Sequence, residues 1–452
     1  MSLNGNNILA GASGQATGYD INQSIRLNDD DSPYLSRTAG TATSNRIGTL
    51  SFWAKRGNLG GGNAFFSNHS DANNRTYVGF DADKIQMYGK ISGSTNVELV
   101  TTQVFRDPAA WYHIVISVDV TQSSASDRVK FYVNGSQITD FSTATYPAQN
   151  TDFPLLSKTN MQVGAHYSSS IGDYYDGYLA EFHFIDGQAL TPASFGESNE
   201  DTNQWQAIKY SGSYSGNSFY LKFASGAIGT DSSGLGNTFT ATNLSSTTSV
   251  SLDSPTNNFA TLNPLIKPAV GTTTYKEGNL KAQNDNWDCI LGSQSRSSGK
   301  WYWEVAGVGA TIANGYKVGI TTAAINANAS ISHDQAGSMT YQINGTKTIA
   351  STNTSYGASY AQNDIIGIAV DMDASTIQWY KNNAAQGSVS FSGGMENADS
   401  FVPLTSMAKG SNDCYSYYNF GQDSSFGGNF TAQGNGGDGE DFYYTPPTGY
   451  KS

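Results

Sequence analysis

Short stretches in which apolar and polar residues alternate, cut by clusters of Gly, Asn, Ser and Asp, recur along the whole chain, and the spacing of an amphipathic helix is almost absent. A strand turns successive side chains to opposite faces, so a period of two commits the chain to half-buried β-sheets. The clearest runs are Leu50-Ser51-Phe52-Trp53-Ala54, Tyr112 to Val118, and Val129-Lys130-Phe131-Tyr132-Val133, the last closing on Asn134-Gly135. Asn-Gly accepts positive φ at both turn positions and is the strongest short hairpin signal. A further strand, Tyr178 to Ile185, ends at Asp186-Gly187.

The strands fall into two blocks. After Glu197 the texture changes to Ser, Thr, Gly and Asn, with one apolar island at Phe219-Tyr220-Leu221-Lys222-Phe223. A second strand-rich region opens at Trp301-Tyr302-Trp303-Glu304-Val305 and runs through Val318 to Ile320, Ile365 to Val370 and Ile377 to Lys381, ending near Tyr415 to Phe420. The pattern predicts an all-β chain with two antiparallel β-sandwich (jelly-roll-like) domains in tandem. The expected boundaries are an N-terminal arm at 1–24, a first sandwich at 25–200, a Gly/Ser/Thr/Asn-rich connector at 201–262 and a second sandwich at 263–452.

Composition narrows the function. The 452 residues carry 24 Lys and Arg against 37 Asp and Glu, a net charge of −13, and no dense basic patch that would neutralise phosphates, so nucleic acid is not an expected partner. At 12% Phe, Trp and Tyr the chain holds enough large apolar surface to fill cores, which argues against disorder. No stretch approaches the ~18 consecutive apolar residues of a spanning helix, and Met1 to Ser24 lacks the build of a secretion signal, so no membrane insertion is expected. Cys289 and Cys414 are too few for a disulfide framework and are expected as buried thiols.

Several segments carry a resemblance. Tyr34 to Thr38, Thr49 to Lys55, Trp111 to Val115, Phe131 to Gly135 and Asp176 to Phe182 resemble, in order and spacing, the laminin-G-like concanavalin A family. That implies a lectin-like sandwich across residues 25–200. Gly299-Lys300-Trp301-Tyr302-Trp303-Glu304-Val305 and Asp364 to Asp371, followed by Trp379-Tyr380-Lys381-Asn382-Asn383, look like the opening strand and later hairpin of a SPRY domain. The family usually has Asn-Gly at that turn, and Asn382-Asn383 still permits positive φ. The SPRY likeness implies a binding platform without shared catalytic residues. Ile185 to Pro192, Asp231 to Gly234 and Asp253 to Phe259 look like segments of structural proteins of tailed bacteriophages.

The chemistry-bearing residues point to binding more than to catalysis. His69, His113, His166, His183 and His333 are scattered without metal-ligand spacing, and Gly212-Ser213-Tyr214-Ser215-Gly216 has Tyr where a nucleophile elbow needs Ser. Glycoside hydrolysis needs two carboxyl groups about 5–10 Å apart, whereas Glu181 and Glu304 each stand alone in their strands. No catalytic residues and no enzyme activity are expected.

Loop acids set beside Asn can hold calcium through hard oxygens, a site that the laminin-G-like resemblance implies, and the same acids are default turn formers. The candidate calcium ligands are Asp71, Asn73, Asn74 and Asp173, with calcium the one candidate cofactor. Rings beside polar loop residues suit sugars, whose apolar faces stack while their hydroxyls bond Asn and Asp. Asn73, Asn74, Tyr77, Tyr174 and Tyr175 are the candidate carbohydrate-binding residues, with capping of the sandwich end as the competing role of the rings.

The leading expectation is a non-enzymatic phage virion protein, a tail fibre or appendage made in the host cytoplasm, that binds host-surface glycan through sandwich loops. Its expected partners are that glycan, other virion proteins and copies of itself, a trimer among the options. A capsid decoration, knob or head fibre without receptor activity is the alternative, and a glycan-cleaving spike is the third.

Overall fold

A computed structural model of the chain describes residues 19–266, 272–284, 288–309, 316–322, 335–407, 414–437 and 439–452. They are almost entirely strand and turn, and divide into two compact units with the boundary between Asn258 and Phe259.

The first unit is a sandwich of two antiparallel eight-stranded sheets. One orders Ser136–Ile138, Val129–Val133, Trp111–Asp119, Ile47–Arg56, Gly177–Asp186, Ser24–Leu27 and Val250–Ser251, with Phe219–Leu221 also on Gly177–Asp186. The other orders Phe141–Thr145, Ser94–Thr101, Lys84–Ile91, Asn74–Asp81, Asn63–Asp71, Asn160–Val163, Tyr34–Thr38 and Thr240–Thr242. Alternate residues of both sheets fill the space between them: Phe52, Phe65, Phe66, Phe182, Phe184 and Phe219 lie at 0–1% exposure and touch ring to ring. The Asn134-Gly135 turn has φ of 47° and 79°, as its composition demands.

The stretch expected as a connector belongs largely to this first unit. Three short strands within 201–262 extend its sheets, and Phe219, Leu221, Phe223, Ile228 and Phe239 enter its core. Strands of two or three residues are too brief to show alternation, which is why composition alone separates them from the sandwich. Of the expected arm, residues 1–18 lie outside the described residues; Ile21 exchanges backbone bonds with Thr256 Oγ1 (2.9 and 3.0 Å), and Ser24 opens a strand.

The end of this stretch is held by a buried ion pair. Lys55 Nζ lies 2.6 Å from Asp253 Oδ2 and 2.8 Å from Asn258 Oδ1, and Trp111 Nε1 donates to Asp253 Oδ1 at 3.0 Å. Both charged side chains are fully buried. Burial, the largest influence, lowers the lysine's proton affinity, and the Asp253 carboxylate opposes that.

The second unit packs a seven-stranded sheet, in which Lys300–Gly309 lies between Cys414–Asn419 and Ile365–Asp371, against a six-stranded sheet containing Phe401–Met407, Lys317–Thr322 and Ser338–Gln342. Trp303, Val305, Ile366, Ile368 and Trp379 fill its core, and Trp379 Nε1 donates across the sandwich to the Val318 carbonyl at 3.0 Å. Asn382 and Asn383 take φ of 47° and 68°, so the turn forms without glycine. Cys289 carries a buried thiol, and the side chain of Cys414 lies outside the described residues.

Glu304, between the core residues Trp303 and Val305, faces the other way and is fully buried. Its carboxylate accepts the Tyr443 and Tyr444 amides at 2.8 Å, Asn419 Nδ2 at 3.1 Å and the Tyr302 hydroxyl at 3.2 Å. It thereby ties the closing segment to the sheet.

Two predictions follow from these buried charges. Lys55→Ala strands Asp253 and is expected to cost the first unit about 3–5 kcal/mol in denaturant melts, while Lys55→Met with Asp253→Leu recovers most of it. Burial raises the Glu304 carboxyl from 4.5 to about 7. Between those values the folded chain binds the extra proton, so stability from this group is greatest below 4.5 and is lost as pH rises to about 7. Glu304→Gln should flatten that slope in melts of the second unit.

Candidate functional site

The outward face of the second sheet of the first unit carries a cavity of about 350 Å³. In Asn74–Asp81, Lys84–Ile91 and Ser94–Thr101 the buried set Val78 and Phe80, Ile85 and Met87, Val97 and Leu99 alternates with an outward set. Register then sets Tyr77, Tyr88 and Glu98 in one row across the three strands, with Gln86, Arg75 and Asp81 beside them. One wall comes from Asn63 and Ala64, where a bulge between Ala64 and Phe66 shifts the neighbouring strand. A bulge re-aims the chain locally, and here Gly79 lets it approach: a Cβ on Gly79 would lie 2.1 Å from the Asn63 carbonyl oxygen. The other wall is the ribbon of His166–Tyr167 and Ile171–Gly172, with Asp173 just beyond it.

The polar groups of this cavity are only partly used by the protein. His166 Nδ1 lies 2.8 Å from Asp173 Oδ2, and burial, the largest influence, lowers the imidazole's proton affinity. The ring is therefore neutral at pH 7, Nδ1 donates its hydrogen to the carboxylate, and Nε2 remains an acceptor. That Nε2 is buried and lacks a hydrogen-bond partner among the described residues, as do Asn63 Oδ1 and Arg75 Nε. Leaving such atoms unmade costs about 1–3 kcal/mol each, a cost that a ligand's hydroxyls or water can relieve. Tyr77 donates to Gln86 Oε1 at 2.8 Å, and its ring centroid lies 4.0 Å from that of His166.

The sequence candidates are scattered around this site. Tyr77 and Asp173 line it. Asp71, Asn73 and Asn74 form the neighbouring hairpin tip, where Asp71 Oδ1 accepts the Asn73 amide at 2.7 Å, both Asp71 oxygens accept from Asn74 Nδ2, and Asn74 Oδ1 accepts the Ser92 amide. The Asn73 amide, the largest influence, holds the Asp71 carboxyl below its ordinary proton affinity. The geometry serves a turn, and Asp173 is engaged with His166. Among the described residues no three His, Cys, Asp or Glu side chains gather where they could hold a metal ion.

Tyr174 stacks on Tyr34 and bonds the Ile171 carbonyl, outside the cavity lining. Tyr175 is fully buried, packed on Phe65 with its hydroxyl donated to the Lys55 carbonyl at 2.9 Å, which leaves no face for a sugar. Asn63, Arg75, Gln86, Tyr88, Glu98 and His166 were not singled out from sequence as binding residues, although their places in period-two runs mark several as outward.

The first unit's other sheet also carries polar groups outward, but these are covered. Ser51 Oγ lies 3.0 Å from His113 Nε2, and Trp205 Nε1 donates to His113 Nδ1 at 2.9 Å. An indole can only donate, so Nδ1 accepts, Nε2 carries the hydrogen, and His113 donates to Ser51 instead of taking its proton. That is the reverse of an activated serine. Glu181 sits at φ 47° on a bulge and accepts from the hydroxyls of Tyr19 and Tyr220. The adjoining cavity of about 10 Å³ has room for about one water.

Residues 28–194 match the family model of the Concanavalin A-like lectin/glucanases superfamily, and residues 300–422 match that of the SPRY domain. No curated protein matches the chain. Among solved structures, stonustoxin is 18% identical over 35% of this chain and 27% of its own length, with a TM-score of 0.29. The SPRY domain of human HERC1 is 16% identical over 35% of this chain and 96% of its own (TM-score 0.28), and the TRIM65 PSpry domain 11% over 36% and 89% (0.29). By the two family matches, the chain contains a concanavalin A-like domain followed by a SPRY domain, each a β-sandwich.

The two histidines give a test by NMR titration. His166 should titrate below 6.5 and His113 only at about 3, each held neutral chiefly by burial. An unfolded His113 takes its proton near 6.5, so the stability it lends the first unit is complete above that pH and is lost as pH falls towards about 3.

Proposed function

We propose that the chain is a non-enzymatic virion protein of a tailed phage, a fibre or appendage whose first unit takes a host-surface saccharide into the cavity lined by Tyr77 and Tyr88. One observation carries the saccharide: tyrosine rings share this cavity of about 350 Å³ with buried polar atoms that have no hydrogen-bond partner among the described residues. A sugar offers matching chemistry, an apolar ring face edged by hydroxyls. The likeness of Ile185 to Pro192, Asp231 to Gly234 and Asp253 to Phe259 to phage structural proteins supports the virion setting. A glycosidase acid needs raised proton affinity, and the carboxyl of the first unit that burial raises well above its ordinary value, Asp176, is not in the cavity lining. The second unit is then a platform for a virion partner.

Purified protein displayed in many copies on beads is expected to bind a saccharide microarray and host cells, and to lose the cells after periodate oxidation. Tyr88→Ala should weaken binding at least about tenfold, since aromatic contacts dominate recognition sites of this kind. Antibody against the chain should label intact virions and block adsorption. Absence of saccharide binding would overturn the glycan reading, release of reducing ends the non-enzymatic one, and unlabelled virions the setting.

A further inference from the structure

We propose that this cavity selects neutral or amino-bearing sugar residues and rejects those that carry carboxylate, sulfate or phosphate, an inference that rests on the saccharide reading above. The argument is the charge and hydrogen-bonding sense of the lining. Asp81, Glu98 and Asp173 set three carboxylates against the single guanidinium of Arg75. Arg75 is also partly engaged, donating through Nη1 to the Ser168 carbonyl at 2.6 Å. The unpartnered Asn63 Oδ1 and His166 Nε2 add acceptors, the latter because Nδ1 gives its hydrogen to Asp173.

Arg75 Nε is the one unpartnered donor set against these acceptors among the described residues, so the lining asks its ligand chiefly for donors, which sugar hydroxyls and ammonium groups supply and an acidic group does not. An anionic substituent would meet like charge and displace water from carboxylates without offering hydrogen bonds in return. Lys84 and Lys90 stand opposite Asp81 and Arg75 in register on the same face but are not part of the lining, so they do not touch a ligand held there.

The test compares matched oligosaccharides by calorimetry and on arrays: galactose oligomers against galacturonic acid oligomers, and glucosamine and N-acetylglucosamine oligomers against sulfated counterparts. The expected result is a preference of about tenfold or more for the non-acidic member at ~0.15 M salt. Glu98→Gln should narrow that ratio at least about threefold, and Lys84→Gln should not narrow it. Equal or stronger binding of the acidic members would overturn the inference and leave the saccharide reading standing. Absence of binding to every member, with wild type and Tyr88→Ala alike, would overturn both.

Discussion

Burying one face of a strand leaves the other face to be accounted for, and in the first unit the two sheets meet that constraint differently. Val115, His113, Ile185 and His183 project from the first sheet away from the common core, and the chain covers them with Phe195, Trp205, Tyr210 and Tyr214. Its polar groups then find partners inside the protein, and the space left beside Glu181 is about that of one water. On the second sheet Tyr77, Tyr88 and Glu98 keep a cavity of about 350 Å³. The difference between the two outward faces is thus a consequence of which sheet the chain's later segments cover.

That covering requires pins, because loops rich in Ser, Gly and Asn bury little apolar area of their own. Each unit holds a returning segment with a fully buried carboxylate: Asp253 on Lys55 and Trp111 in the first, Glu304 on the Tyr443 and Tyr444 amides in the second. Buried carboxylates with several donors are directional in a way that apolar contacts are not, so they fix register where the loop sequence is permissive. The two pins differ in electrostatics. Asp253 has a lysine partner, whereas Glu304 has only neutral donors and so sits close to its own protonation at neutral pH.

How much was legible in the sequence follows from the same distinction. Period-two runs such as Val129 to Val133 and the Asn134-Gly135 and Asn382-Asn383 turns are local signals, and each strand and turn stands where the sequence pattern indicated. The share of 201–262 in the first unit was not legible, since Thr240–Thr242 and Val250–Ser251 gain their strand character only from the edges they pair with. The lining of the cavity was half legible: Tyr77 stood out by its own chemistry, but Tyr88 and Glu98 join it through inter-strand register. Tyr175 misled for the converse reason. The Tyr174-Tyr175 pair splits its rings between the two faces, and only packing decides which ring is inside.

The construction of the cavity separates what must be constant from what can vary. Its floor is three strands whose inward residues are core, and Gly79 leaves no room for a side chain against the bulge, so the floor cannot change without moving the sandwich. Its far wall, His166 and Asp173, hangs on a ribbon of two short strands around the exposed Ser168 to Ser170. Changes in that ribbon alter the far wall while the row of Tyr77, Tyr88 and Glu98 stays fixed, a variable loop on a rigid scaffold. A cavity near the small end of ligand sites, about 300–1,000 Å³, contacts little of any long glycan. On the saccharide reading proposed above, strength would come from the number of copies presented together, and a low-affinity site would suit that display better than a deep one, because release of any single contact stays fast.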